Sequence, residues 1–169
     1  MEEIHRQELA KFLVKAKKVT WAGDGKEVVS EIPGFKKFEY NERDLKYEDY
    51  YVGFYLIRGF ETVRFKGELI WSMSYGWGMT SMIDANLDYE FAEETFDFLK
   101  ETLQNIKIER PFRGPVKFKQ GKYEYFDENQ GDIKKFDGLE TIFFKERKAH
   151  ELKYSGNIII PKRREIFIT

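Results

Sequence analysis

Gly59 to Tyr75 reads GFETVRFKGELIWSMSY, and Gly138 to Tyr154 reads GLETIFFKERKAHELKY. Displaced by 79 positions, the two stretches align without a gap; six of their 17 residues are identical (Gly, Glu, Thr, Phe, Lys, Tyr) and three more are conservative replacements. Upstream, with a one-residue adjustment, LKYEDYYVG from Leu45 matches YEYFDENQG from Tyr123 at Tyr, Asp and Gly. Apolar and polar residues alternate along both stretches, which is the period of a half-buried strand. Turn signals follow at Lys66-Gly67 and around Glu146, so each stretch reads as a hairpin.

Working outward, a helix precedes each matched stretch. Leu9, Phe12, Leu13 and Ala16 recur at helical spacing between Gln7 and Val19, with lysines around the rest of the wheel. TWAGDG then supplies the stop. A second apolar stripe, Phe91, Thr95, Phe98, Leu99, Thr102, Leu103 and Ile106, predicts a helix from about Tyr89 to Ile106 with Asp88 as its N-cap. Further hairpin signals stand at Asn41 to Asp44, Arg58-Gly59, Gln120-Gly121, Gly131-Asp132 and Asp137-Gly138. Short loops between consecutive strands make them antiparallel neighbours. The expected fold is α+β: two tandem helix-plus-four-strand repeats, roughly 5–80 and 88–160, forming a curved antiparallel sheet with two helices packed on one face, all in a single domain over 1–169.

Composition narrows the function classes. Sixteen Phe and ten Tyr call for a core or pocket rich in rings, and 29 basic against 30 acidic residues leave a net charge of −1. That balance supplies no field for nucleic acid or an anionic membrane, so neither is expected as a partner. The chain has no cysteine, which removes disulfides, thiolate ligands and a thiol nucleophile. No long apolar run follows Met1, and a cytoplasmic location is the default expectation.

Strand parity then places acids among the core residues. Glu61 shares a side with Val63 and Phe65, Glu140 with Ile142 and Phe144, Asp49 with Tyr47 and Tyr51, and Asp127 with Tyr123 and Tyr125. In the next strand Leu69, Trp71, Met73 and Tyr75 share the inner side. A buried carboxylate is costly unless it is paired, hydrogen-bonded or protonated. Two readings follow. Asp49, Glu61, Asp127 and Glu140 line a polar cavity with Tyr47, Tyr51, Trp71, Tyr75 and Trp77, suited to a cationic or hydroxyl-rich ligand; or Glu61 and Glu140 sit at hydrated strand ends on the sheet rim.

Other motifs carry less. The two histidines, His5 and His150, are too few for a two-histidine metal site, and His150 reads as a strand residue at the position equivalent to Trp71. GWGMTS, 76–81, lacks the lysine of a phosphate loop and reads as a connection. DANLD, 84–88, starts like a calcium loop, but Tyr89 and Thr95 stand where Gly and Glu are needed. No metal or cofactor is expected. The basic residues at Lys162, Arg163 and Arg164 and around Arg110 and Arg113 read as a solvated surface, and Glu165 to Thr169 as a final edge strand.

Several strings together, FLVKAKKVTWAGDG (12–25), FEYNERDLKYEDYYVG (38–53), ELIWSMSYGWG (68–78), PFRGPVKFKQGKYEYF (111–126) and GDIKKFDGLETI (131–142), resemble an uncharacterised prokaryotic domain-of-unknown-function family that occurs alone or behind a helix-turn-helix regulator domain. The chain departs from that pattern at Tyr154-Ser155-Gly156-Asn157. The resemblance implies no activity, but the association with regulators implies a sensing role. The leading expectation is therefore a non-catalytic domain that binds a small molecule between helices and sheet. Two alternatives stand beside it: an enzyme using paired carboxylates for acid/base chemistry, and an interaction module or homodimer joined through the C-terminal strand.

Overall fold

The structure is a computed structural model, which describes residues 2–80, 88–160 and 166–169. A short strand β1 (Glu2–Ile4) leads into helix α1 (Arg6–Val19) and a 3-10 turn at Trp21–Gly23. Four strands follow: β2 (Lys36–Glu42), β3 (Leu45–Gly53), β4 (Leu56–Phe65) and β5 (Glu68–Met79). After helix α2 (Tyr89–Leu103) come β6 (Lys117–Gln120), β7 (Tyr123–Asp132), β8 (Lys135–Phe144) and β9 (Arg147–Ile158), then β10 (Ile166–Ile168). Eight strands form one antiparallel sheet in the order β2-β3-β4-β5-β9-β8-β7-β6, so the last strands after each helix meet at the centre. The chain is thus α+β, and no helix among the described residues is long and apolar enough to cross a membrane.

Both helices bury their stripes on one face of this sheet. Leu9, Phe12, Leu13 and Ala16 of α1 pack with Tyr47, Val63, Trp71 and Met73, while Phe98, Leu99 and Leu103 of α2 pack with Tyr125 and Ile142. Residues directly opposite each other across a ladder share a face. The register Tyr47 to Val63 to Trp71, and Tyr125 to Ile142 to His150 to Met79, therefore draws the two clusters onto one side. The Asp88 side chain caps α2 by accepting from the Phe91 N–H at 3.0 Å, as its position predicts. The helix stops at Leu103, earlier than the apolar stripe suggested, and Ile106 is buried beyond it.

The turns need correction. Arg58-Gly59 and Asp137-Gly138 lie inside β4 and β8, and the chain reverses instead at Phe54-Tyr55 and Ile133-Lys134. Gly53 and Gly131, with φ of 95° and 92°, begin those reversals in the left-handed region that glycine enters freely. The stretch expected to be a connection, Gly76 to Met79, belongs to β5. The C-terminal strand is no edge of the main sheet, because β10 pairs in parallel with β1 in a separate two-stranded sheet. The calcium-like 84–87 and the basic cluster 162–164 lie outside the described residues.

Candidate functional site

Tyr75 of β5 faces Gly59 across the ladder, and Tyr154 of β9 faces Gly138. A side chain at either glycine would overlap the tyrosine ring. The bare glycine lets each ring lie flat across its neighbouring strand and reach an aspartate one strand further on. The Tyr75 hydroxyl donates to Asp49 at 2.6 Å, and the Tyr154 hydroxyl donates to Asp127 at 2.8 Å. Each aspartate stands directly opposite a glutamate, Asp49 beside Glu61 and Asp127 beside Glu140. All four acids are buried, with Glu140 fully so. The alternative that Glu61 and Glu140 sit on a hydrated rim does not survive this placement.

Three cations answer the acids; two of them, Arg110 and Arg113, were expected on a solvated surface and are instead turned inward onto buried carboxylates. Lys17, in the last turn of α1, forms a buried ion pair with Glu61. Arg113, in the loop before β6, grips Glu140 with two parallel bonds of 3.0 and 3.1 Å, a geometry a planar guanidinium makes well. Arg110 reaches the Asp127 carboxylate at 3.3 Å and its backbone carbonyl at 2.9 Å. The Tyr125 hydroxyl donates to Glu140 at 3.0 Å and accepts from the Gly114 N–H at 3.1 Å. A side chain at Gly114 would crowd that hydroxyl, which gives PFRGP its small residue. The helical phase could have exposed Lys17: Leu9, Leu13 and Lys17 are spaced by four, so the lysine lies on the buried stripe.

A cavity of 530 Å³ opens between α1, the 3-10 turn, α2 and the sheet. Its polar wall is Asp49, Glu61, Lys17 and Arg113, and its apolar wall includes Tyr47, Tyr51, Tyr75, Phe54, Phe96 and Leu103. Five of the nine expected site residues therefore meet there. Asp127 and Glu140 do not line it; Arg110 and Arg113 close over them. Trp71 is fully buried among the residues packed with α1. Trp77 turns away, because its φ of 108° breaks the alternation of β5, and it lies 39% exposed beneath the Lys153 ammonium at 4.4 Å. A second depression, of 960 Å³, holds none of the four acids.

Burial governs the protonation of these groups. It pushes Asp49 up to about 7, helped by the charge of Glu61 and opposed by the Tyr75 hydrogen bond, Lys17 and Arg113. Asp127 is likewise raised to about 7, first by burial and then by Glu140. For Glu140, burial pulls upward, but the Arg113 charge, His150 and the hydrogen bonds from Arg113 and Tyr125 prevail and hold it below the usual range. Burial lowers Lys17 despite its pairing with Glu61. His150 is fully buried, has among the described residues no hydrogen bond to either ring nitrogen, and is lowered by desolvation to about 4. It is therefore neutral near pH 7, and its 3.9 Å approach to Glu140 is not an ion pair there.

A search of curated proteins and a search of solved structures each found no match. A family model does match residues 49–159, a span that starts at Asp49 and includes Glu61, Arg110, Arg113, Asp127 and Glu140. The match covers about two thirds of the chain, and the chain belongs to the family described as Domain of unknown function (DUF5680).

Proposed function

We propose that this chain is a small-molecule binding domain whose ligand occupies the cavity between the helices and the sheet. The observation that carries the reading is Asp49: a buried carboxylate on the wall of a 530 Å³ cavity, reached among the described residues by the Tyr75 hydroxyl alone. A cavity of this size whose walls join aromatic and apolar side chains to a set of charged groups has the makeup of a pocket for a polar ligand. Asp49, Glu61, Tyr47, Tyr51 and Tyr75 would be the contacts from the sheet, with Lys17 and Arg113 added. The enzyme reading has weaker support, because acid/base chemistry on two carboxylates needs both free, and Glu61 is committed to Lys17. The homodimer reading has weaker support, because β10 is outside the main sheet and is paired along one edge with β1.

We also infer that residues 5–80 and 88–160 are two copies of one unit. Supporting this are the gapless sequence match, the order of four strands after each helix, and the recurrence of the glycine, tyrosine, aspartate and glutamate group. A sensing role behind a regulator domain fits such a pocket.

The test is a thermal-shift screen of a diverse metabolite and fragment set against the wild type and Ile57→Trp, which places an indole in the cavity wall. A ligand at a hundred times its Kd adds about 2.7 kcal/mol to the folded state, which is a rise of several degrees for a chain of this length. Compounds that raise the melting temperature of the wild type and not of Ile57→Trp support the pocket. A screen with no such compound contradicts it.

A further inference from the structure

The two acid pairs are alike in everything except their cations. On one side Asp127 receives Arg110 and Glu140 receives Arg113, two carboxylates against two guanidinium groups. On the other, Glu61 receives Lys17, while Asp49 receives, among the described residues, a tyrosine hydroxyl and no cation. The Asp49 and Glu61 pair is short of one positive charge, and the acid that lacks it lines the cavity. The remaining charges facing Asp49 do not fill that place. Lys17 and Arg113 are each bound to their own carboxylate. At the cavity wall Lys36 pairs with Glu27 and Lys100 with Asp24, and Glu93 and Asp97 add negative charge.

We propose that the cavity takes an organic cation, an amine with an aromatic or apolar body, whose ammonium pairs with Asp49. This deepens the small-molecule reading and rests on it. The amine supplies in the first half the charge that Arg110 supplies in the second. Its body lies against Phe54, Phe96 and Leu103; the rings of Tyr47, Tyr51 and Tyr75 already face Lys17, Lys36 and Arg113 at 5.9, 5.7 and 5.7 Å, so recognition of the ammonium rests on the Asp49 carboxylate. An anion is disfavoured, because Lys17 or Arg113 could meet it only by leaving a buried partner uncompensated. A neutral hydroxyl compound brings no charge to the carboxylate and offers it only a hydrogen bond of the kind Tyr75 already gives.

Because the amine needs the ionised carboxylate, binding at low pH must expel a proton. Affinity then falls about tenfold per pH unit below the titration of Asp49, which burial and Glu61 place at about 7, with the Tyr75 hydrogen bond, Lys17 and Arg113 acting downward. The test uses two matched pairs, 2-phenylethylamine with 2-phenylethanol and tryptamine with tryptophol, titrated calorimetrically into the wild type and Asp49→Asn between pH 5 and 8.5. The expected result is that the amines bind at pH 8 at least tenfold more tightly than their alcohols and weaken toward pH 5. Asp49→Asn, folded by its melting curve, loses at least tenfold at pH 8 and its pH dependence. Alcohols that bind as well as amines, or amine binding independent of pH, overturn the cation and leave the pocket standing. So does failure of both amines in a protein for which the screen finds ligands that Ile57→Trp blocks. If that screen is empty as well, pocket and cation fall together.

Discussion

Gly59 and Gly138 matter for what they lack. Each clears the surface of its strand so that a tyrosine can cross it to a buried aspartate. Gly59→Ala should displace the Tyr75 ring and cost about 1–3 kcal/mol, as overpacking generally does, measurable by urea denaturation; no change would mean that the ring does not rest there. The titrating residues pull stability in opposite directions. Asp49, at 3.8 in an unfolded chain and about 7 when folded, binds a proton that the unfolded chain has already released. Its contribution is whole below pH 4 and is lost as the pH rises to about 7. Asp49→Asn keeps an acceptor for Tyr75 and should therefore gain on the wild type by about 4 kcal/mol between pH 4 and 7, and by nothing further above. His150 works the other way: at 6.5 unfolded and about 4 folded, it contributes fully above pH 6.5 and the contribution is lost as the pH falls toward 4. His150→Leu removes the ring whose nitrogens are both unsatisfied, and should flatten the acid side of the stability profile by about 3 kcal/mol. A wild-type profile with the same acid limb as that variant would contradict the buried neutral histidine.

At the scale of elements, α1 both packs and neutralises. Its apolar stripe fixes it to the sheet, and Lys17 at the end of that stripe answers Glu61. Lys17→Met should cost about 3–5 kcal/mol by leaving a buried carboxylate unpaired, and adding Glu61→Gln should recover most of it. Full stability in the single variant would show that the pair is not needed. Strands and helices were legible because their apolar periods, two and 3.6, are set by which face meets the core. The inward acids were legible by the same parity. Of their cations, Lys17 was legible only from its spacing of four from Leu13, and Arg110 and Arg113 lie between α2 and β6, where no period tells direction. The glycine signals misled at Gly59 and Gly138 because a glycine that makes room for a ring looks, in sequence, like one that makes a turn. Trp77 was misplaced because a positive φ turns that one residue of β5 outward, while Met79 beyond it is buried again in phase with Tyr75.

For the whole molecule, eight strands and two helices make one covered face, and on that face lie two acid pairs that differ in how they are neutralised. The closed pair holds the β7-β8 side together with Arg110 and Arg113. The open pair borders the cavity, where the proposed ligand would meet Asp49. The most direct measurement is the number of protons exchanged when 2-phenylethylamine binds at pH 6, read from calorimetry in buffers of different ionisation enthalpy. Close to one proton released per amine in the wild type, and none in Asp49→Asn, is the expected result. Binding that releases no proton from the wild type, or the same number from both proteins, would contradict the role assigned to Asp49.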